Sequence, residues 1–423
     1  MTNVNSQPQT INSSVRSSHP IVFLILYLPC GIFTGYLTVT LAYLFSKSGI
    51  SISMIAGLTA INLIPQIFKF LWSPLVDATL SLKKWYIIAT LATSAGLLAT
   101  GIVPLKASNL QFLTLMIIIC SVAKSFISAA VVCLAAHDTP EKMKGRVGGF
   151  IQSGLLGGVA MGGGAGLSIA VHSPYIWLAA GALALTCALC CGGLLFVKEP
   201  LSTIRVDNIN TTFRNVLKDV WLTIKKKTGL LALILCLIPI GSGAAGSLFA
   251  AVAKDWGASA DMVAGVTGFI GGGVTVIGCL AGGWLCDIMN RQRAYILSGL
   301  VQAVSAFGMA FFPHTPVMYI IWTLLYTLSN GFNWAAFSAF ALEAIGKGAA
   351  ASKYELYSAI SYWPIYAMTL IAGAAYTKWG ANGMLNTEAC CAILGTALFI
   401  CASVLIKNRK STMLNTGPVL TEA

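Results

Sequence analysis

Two lysines inside apolar runs have the most chemistry to offer in this sequence. Lys69 opens the stretch KFLWSPLVDATLSLKK, where an apolar run stops at a Trp-Ser-Pro-Leu-Val-Asp corner and a basic pair. Lys124 stands near the middle of another run, with Ser121 and Ser128 on its helical face and Asp138 fourteen residues on. A lysine in hydrocarbon costs roughly 2.5–3.5 kcal/mol on insertion scales and marks a functional site by default. Asn62, Gln66, Lys69 and Ser73 sit at offsets that keep one helical face, and Asp77 continues it. Lys69 could snorkel to the interface or face a pathway. Lys124 is too deep to snorkel, so it either caps carbonyls inside a bundle or meets an anionic group. No acidic residue is expected at midplane depth to neutralise either lysine.

Aromatic and amide side chains form a second set. Tyr326, Asn330, Asn333 and Phe337 share a face with Trp334 beside it, and Tyr357, Tyr362, Trp363 and Tyr366 crowd around Pro364. Tyr27 and Tyr36 flank Pro29 and Gly31 more weakly. These residues could be packing and interface belts or the stacking wall of a cavity. The run Gly241-Ser-Gly-Ala-Ala-Gly246 is small and polar enough to unwind.

The elements that must position these groups are membrane spans. The chain is 57% hydrophobic and 9% charged, with mean hydropathy +0.81, against about 25% charged residues in soluble domains. Crossing a bilayer takes about 20 apolar residues, and twelve such stretches can be placed: 21–45, 50–76, 85–104, 110–136, 147–171, 174–197, 229–253, 262–286, 294–312, 317–342, 354–377 and 384–406. Helices fit better than barrel strands, which would show alternating segments of about ten residues. The fold expected is an all-α membrane protein of two six-helix halves. They divide as a tail 1–20, a half 21–197, a linker 198–228, a half 229–406 and a tail 407–423. The first apolar run is too long for a signal-peptide core and is expected to stay in the mature protein.

The net charge of +13 is organised by this topology. With both termini on one side, 20 of 26 Lys and Arg fall in the loops of that side. This is the positive-inside pattern, and it places the basic face in the cytoplasm. Anionic lipid headgroups account for the charge, so no nucleic-acid partner is expected. The acidic residues lie at span ends. Asp138 and Glu343 hold equivalent ends in the two halves and are candidates for protonation switches, while Glu388 is expected at the interface.

The chain has no features of an enzyme. His19, His137, His172 and His314 fall at span ends or in loops, and no nucleophile elbow, zinc pair or Gly-Lys-Ser/Thr phosphate loop is present. The loosely spaced Cys187, Cys190 and Cys191 have no His or carboxylate nearby and read as small apolar fillers. No metal, cofactor or direct use of ATP is expected.

The halves repeat one another after their second spans. Ser73-x3-Asp77 is followed by Lys83 and Lys84, and Gly283-x3-Asp287 by Arg291 and Arg293. The second copy resembles the loop motif of the major facilitator superfamily; the first departs from it in the serine and the later basic pair. Residues 66–84 and the stretch GRVGGFIQSGLLGG resemble the peptide/acetyl-coenzyme A transporter branch, which includes AmpG-like muropeptide permeases, acetyl-CoA transporters and some ferric-siderophore permeases. The resemblance implies a monomeric secondary transporter of the bacterial plasma membrane. It would bring in a bulky anionic or amphiphilic solute with protons, by alternating access, through a site between the halves. A drug-efflux member is the alternative, which two buried lysines make less fitting for cations. The resemblance also implies that spans 5 and 8 meet across the halves. Gly154, Gly158, Gly162 and Gly166 in span 5, with Gly268 and Gly272 in span 8, would then be the packing faces that slide.

Overall fold

A computed structural model describes residues 18–50, 54, 57–58, 61–199, 209–346 and 349–415. Most of the two tails, the linker residues 200–208, loop residues 347–348 and much of the stretch 50–60 lie outside the described residues. Every regular element among the described residues is helical.

Among the described residues, eight helices are long and apolar enough to cross a membrane by themselves. Span 1 is Ile21–Lys47, span 3 Leu82–Ile102, span 4 Leu110–Asp138, span 5 Glu141–His172 and span 6 Trp177–Phe196. In the second half, span 8 is Met262–Ile288 and span 9 Arg291–Phe311. Spans 11 and 12 form one continuous helical stretch, Ala350–Asn415, turned at Gly380, whose φ of 67° suits glycine. Span 10 is the 30-residue helix Pro316–Ile345. Spans 2 and 7 are broken. Span 2 runs as Leu63–Phe68, a tight 3-10 turn Lys69–Leu71, and Ser73–Ala78. Span 7 starts as Lys227–Leu237, unwinds, and resumes as short turns from Ala245 to Trp256. The unwound part falls on the small polar run read from the sequence, with Gly241 and Gly243 at positive φ.

Local chemistry sets several of the ends. Ser81, Asn290 and Thr315 accept hydrogen bonds from the amides of Lys84, Arg293 and Met318 and so cap spans 3, 9 and 10. Pro316 then occupies the first turn of span 10, where its missing N–H costs nothing.

Between the halves, an amphipathic helix, Ile209–Lys225, lies against the end of span 2 and the start of span 11. Asp219 holds it there through an ion pair of 2.7 Å with Lys353.

Glycine positions decide which helices lie closest. Gly154, Gly158 and Gly162 face backbone of span 1, from Leu24 to Tyr36, and Gly166 faces Thr40 and Leu183. The four-residue face of span 5 is therefore spent inside its own half, against span 1. This corrects the expectation that it slides on span 8. Spans 5 and 8 do meet across the halves, but through Gly145 and Gly149 on one side and Cys279, Gly283 and Asp287 on the other. A Cβ on Gly149 would lie 3.0 Å from the Gly283 Cα. Gly268 has open space around it, and Gly272 only approaches Ala160.

Candidate functional site

The spans close the interface between the halves at the basic face. Asp287 accepts hydrogen bonds from the amides of Gly145 (2.7 Å) and Arg146 (3.2 Å), and pairs with the Arg146 guanidinium. Asp77 does the same at the start of span 11, accepting from the amides of Ala351 and Ser352 and from the Ser352 hydroxyl at 2.6 Å. Each aspartate thus ends the second span of its half and caps a helix of the other half, where the N-terminal dipole favours an anion. Lys144 adds a complementary contact, donating to the Leu342 carbonyl near the end of span 10 at 3.0 Å. Of the repeated loop motifs, Gly283, Asp287 and Arg291 come together here. Arg291 pairs with Glu343 at 3.2 Å. Lys83, Lys84 and Arg293 make no ion pair among the described residues.

Above this closed floor lies a cavity between the halves. Spans 1, 2 and 4 supply Tyr27, Thr34, Asn62, Gln66, Lys69 and Lys124; spans 10 and 11 add Trp334, Ser358 and Tyr362. The polar stripe of span 2 therefore faces inward. The 3-10 turn that Lys69 opens lies beside span 11, and mid-span turns of this kind often mark functional positions.

The two lysines have unlike surroundings. The Lys69 ammonium sits 2.5 Å from a Glu355 carboxylate oxygen and donates to the Ser358 hydroxyl at 2.8 Å. The other Glu355 oxygen accepts from Ser128 at 2.6 Å, and Ser128 lies 2.7 Å from the Tyr27 hydroxyl. The pair is buried and crosses from one half to the other. Lys124 has only neutral partners, the Thr34 hydroxyl at 3.1 Å and the Asn62 amide oxygen at 3.4 Å. No carboxylate among the described residues reaches ion-pair distance of it. Asn62 is held in turn by Ser121 at 2.8 Å.

Glu355 corrects the expectation of no acidic partner for Lys69, while Lys124 has none among the described residues. Glu355 stands two residues into the predicted span 11, where the sequence reads as a helix end. A signal was available: Glu355, Ser358 and Tyr362 repeat at helical spacing on one face, as the span 2 stripe does. Glu388 is a second correction. It is buried in span 12 rather than interfacial, and accepts from the Tyr326 hydroxyl (2.7 Å), the Ser242 hydroxyl (3.1 Å) and the Ala245 amide (2.8 Å). It thereby anchors the unwound part of span 7.

The remaining candidates divide. Trp334 lines the central cavity and also a smaller one among spans 7, 10 and 11, which Asn333 lines. Asn333 is engaged with Ser298 and with the Gly241 carbonyl, and Asn330 sits against Gly243. Both brace the break in span 7. Three aromatics do not belong to the cavity. Tyr36 is in the core of the first half, Tyr357 is buried with its hydroxyl on the Gly229 carbonyl, and Trp363 is 60% exposed on the outside of the bundle. Asp138 and Glu343 lie at the basic face and outside the cavity lining, Asp138 accepting from the Ser18 amide.

The sequence profile of the Major Facilitator Superfamily matches residues 21–365. The chain belongs to the major facilitator superfamily. It is a multi-pass membrane transporter of twelve helices. Solved structures agree at the level of fold. The human organic anion transporter MFSD10 superimposes with a TM-score of 0.68 at 14% identity, over 90% of this chain and 98% of that one. The E. coli fucose:proton symporter FucP gives 0.67 at 14% identity over 91% and 98%. The proton:xylose symporter XylE gives 0.64 at 14% over 89% and 94%. A search of curated proteins returns no match. Within this superfamily fold, the Lys69–Glu355 pair and the inward-facing Lys124 occupy the space between the halves.

Proposed function

We propose that the protein takes up an anionic solute together with protons, with Lys124 as the fixed countercharge and Glu355 as the proton carrier. The observation that carries this reading is the unequal pairing of two buried lysines in one cavity. Lys124 has neutral partners only, so an entering anion supplies the missing charge in low-dielectric surroundings. Lys69 is occupied by Glu355 and can turn to the anion only when Glu355 is neutral. Breaking a buried pair without compensation costs about 3–5 kcal/mol. Anion and proton therefore favour each other's binding, a reciprocal coupling between two sites. On the far side the order reverses: the anion leaves, Glu355 gives up its proton, and the pair re-forms.

The branch resemblance supports a muropeptide-like or ferric-siderophore solute and the bacterial plasma membrane as location, and the Lys/Arg asymmetry supports the basic face in the cytoplasm. Two of the similar folds are proton symporters and one is an organic anion transporter, which agrees with the reading without carrying it. The test is uptake into proteoliposomes of a labelled anhydro-muropeptide and of a ferric siderophore, with and without an inward proton gradient. Gradient-driven accumulation of one of them is expected. Glu355→Gln should lose it while still exchanging labelled for unlabelled solute. A Glu355→Gln protein that accumulates like the parent overturns the role of Glu355, and accumulation of neither solute overturns the solute class.

A further inference from the structure

We propose that the solute is an amphiphile held in two chambers, its anionic end at Lys124 and an apolar part in a glycine-walled vestibule beyond it. The inference rests on the reading of Lys124 given above and adds a second subsite to it.

The vestibule is a distinct cavity between the halves. One wall comes from spans 1 and 5, with Val39, Ala160, Gly163 and Gly164; the other comes from spans 8 and 10, with Thr267, Gly268, Gly271, Gly272 and Thr327. Charged groups are absent from its lining. Its hydroxyl protons are already engaged: Thr267 donates to the Val263 carbonyl, Thr275 to that of Gly271, and Thr327 to that of Thr323. The cavity therefore offers a largely apolar surface whose hydroxyl donors are already engaged.

Two residues make the chambers neighbours. Leu156 and Val159 line both the vestibule and the Lys124 cavity. The vestibule residues lie toward the ends of spans 1, 5 and 8 remote from the basic loops. A solute arriving from that side passes the apolar chamber before its charge reaches Lys124. The walls also have room to hold something. A Cβ on Gly164 or Gly268 would meet nothing within 4 Å, although glycines of the same helices, such as Gly149 and Gly278, are pressed against backbone. An apolar occupant gains roughly 0.8 kcal/mol per buried methylene, a factor of nearly four in affinity. Such a gain needs room for the chain, and the open space beside Gly164 and Gly268 supplies it.

The test uses straight-chain alkanoates from butanoate to dodecanoate, with gluconate as a hydroxylated acid, titrated calorimetrically into the purified full chain in amphipol. The dissociation constant is expected to fall about two- to four-fold per methylene until the vestibule is filled, and gluconate should bind no better than butanoate. Gly164→Leu and, from the opposite wall, Thr267→Trp should each flatten the dependence on length while leaving butanoate binding within about two-fold. Lys124→Met should weaken the whole series more than tenfold. Binding that needs Lys124 but ignores chain length overturns the vestibule and leaves the anion site standing. A length dependence that survives Lys124→Met identifies a chamber for lipid acyl chains and overturns both subsites as one site. Tighter binding of gluconate than of octanoate also overturns the proposal.

Discussion

Spans 5 and 8 are the same pair of helices at both ends, yet they behave as two different interfaces. Toward the basic loops, Gly145 and Gly149 press against Gly283, and Asp287 reaches over to bond the first amides of span 5. Toward the opposite end, Gly157 only touches a Val276 methyl, Gly272 approaches Ala160, and Gly164 and Gly268 face open space. Glycine is frequent at both ends, so composition does not distinguish them. The difference lies in what supports the contact. The closed end has charge and hydrogen bonds to hold it, including the cross-half pair of Lys69 and Glu355; the parted end has van der Waals contact alone. A small-residue face is thus permissive of close approach, and polar groups decide where the approach is locked.

The largest expected effect belongs to the charge that the closed end leaves unpaired. Lys124→Met should abolish uptake and weaken binding of the anionic solute by more than a hundredfold in purified protein. Lys124→Arg should keep part of the affinity, because a planar fork replaces a compact point charge. A Lys124→Met protein that folds normally and binds as before would make this lysine a structural cap.

Next comes the lock itself. Glu355→Ala should lower stability by about 3–5 kcal/mol, as expected when one member of a buried pair is removed. The double variant Lys69→Met/Glu355→Gln should recover most of that loss. Thermal unfolding in detergent reads both, and strictly additive losses would refute a direct pair.

A steric comparison separates the two ends of span 5. Gly149→Leu should wedge the closed end apart and raise labelling of a cysteine placed at Ser358 from the basic side about tenfold. Gly164→Leu should leave that labelling unchanged. Gly158→Leu, on the face against span 1, should instead lower thermal stability by roughly 2 kcal/mol or more through overpacking. Loss of transport in Gly158→Leu at full stability would return that face to a sliding role.

The smallest effect is expected for the caps. Asp287→Asn and Asp77→Asn keep the shape of the acceptor but lose its charge at a helix N-terminus. Each should weaken closure of the basic face by about 0.5–2 kcal/mol. The same cysteine accessibility assay would show a shift of a few-fold, and no shift in either variant would leave the caps without a part in closure.

Much of this architecture was legible beforehand because it depends on local rules. Apolar length marks the spans, and Gly241 to Gly246 marks the break in span 7. The stripes Asn62-Gln66-Lys69 and Ser121-Lys124-Ser128 were visible as faces, since 3.6 residues per turn leaves no freedom there. Tyr357 and Trp363 were misread for a related reason. Spacing shows which residues share a face, but on a span that is apolar all round it does not show which face looks inward.

The chain by itself determined where apolar spans lie, which loops carry the basic residues, and that two lysines had to be buried. Which partner each lysine meets was decided only when the halves came together. Glu355 lies in the other half, and its side chain reaches Lys69 only through the closed packing of span 11 against span 2. The glycine face of span 5 was likewise settled by competition between span 1 and span 8 for one surface. Contacts between distant segments depend on the relative placement of whole helices, and helical periodicity carries no information about that placement.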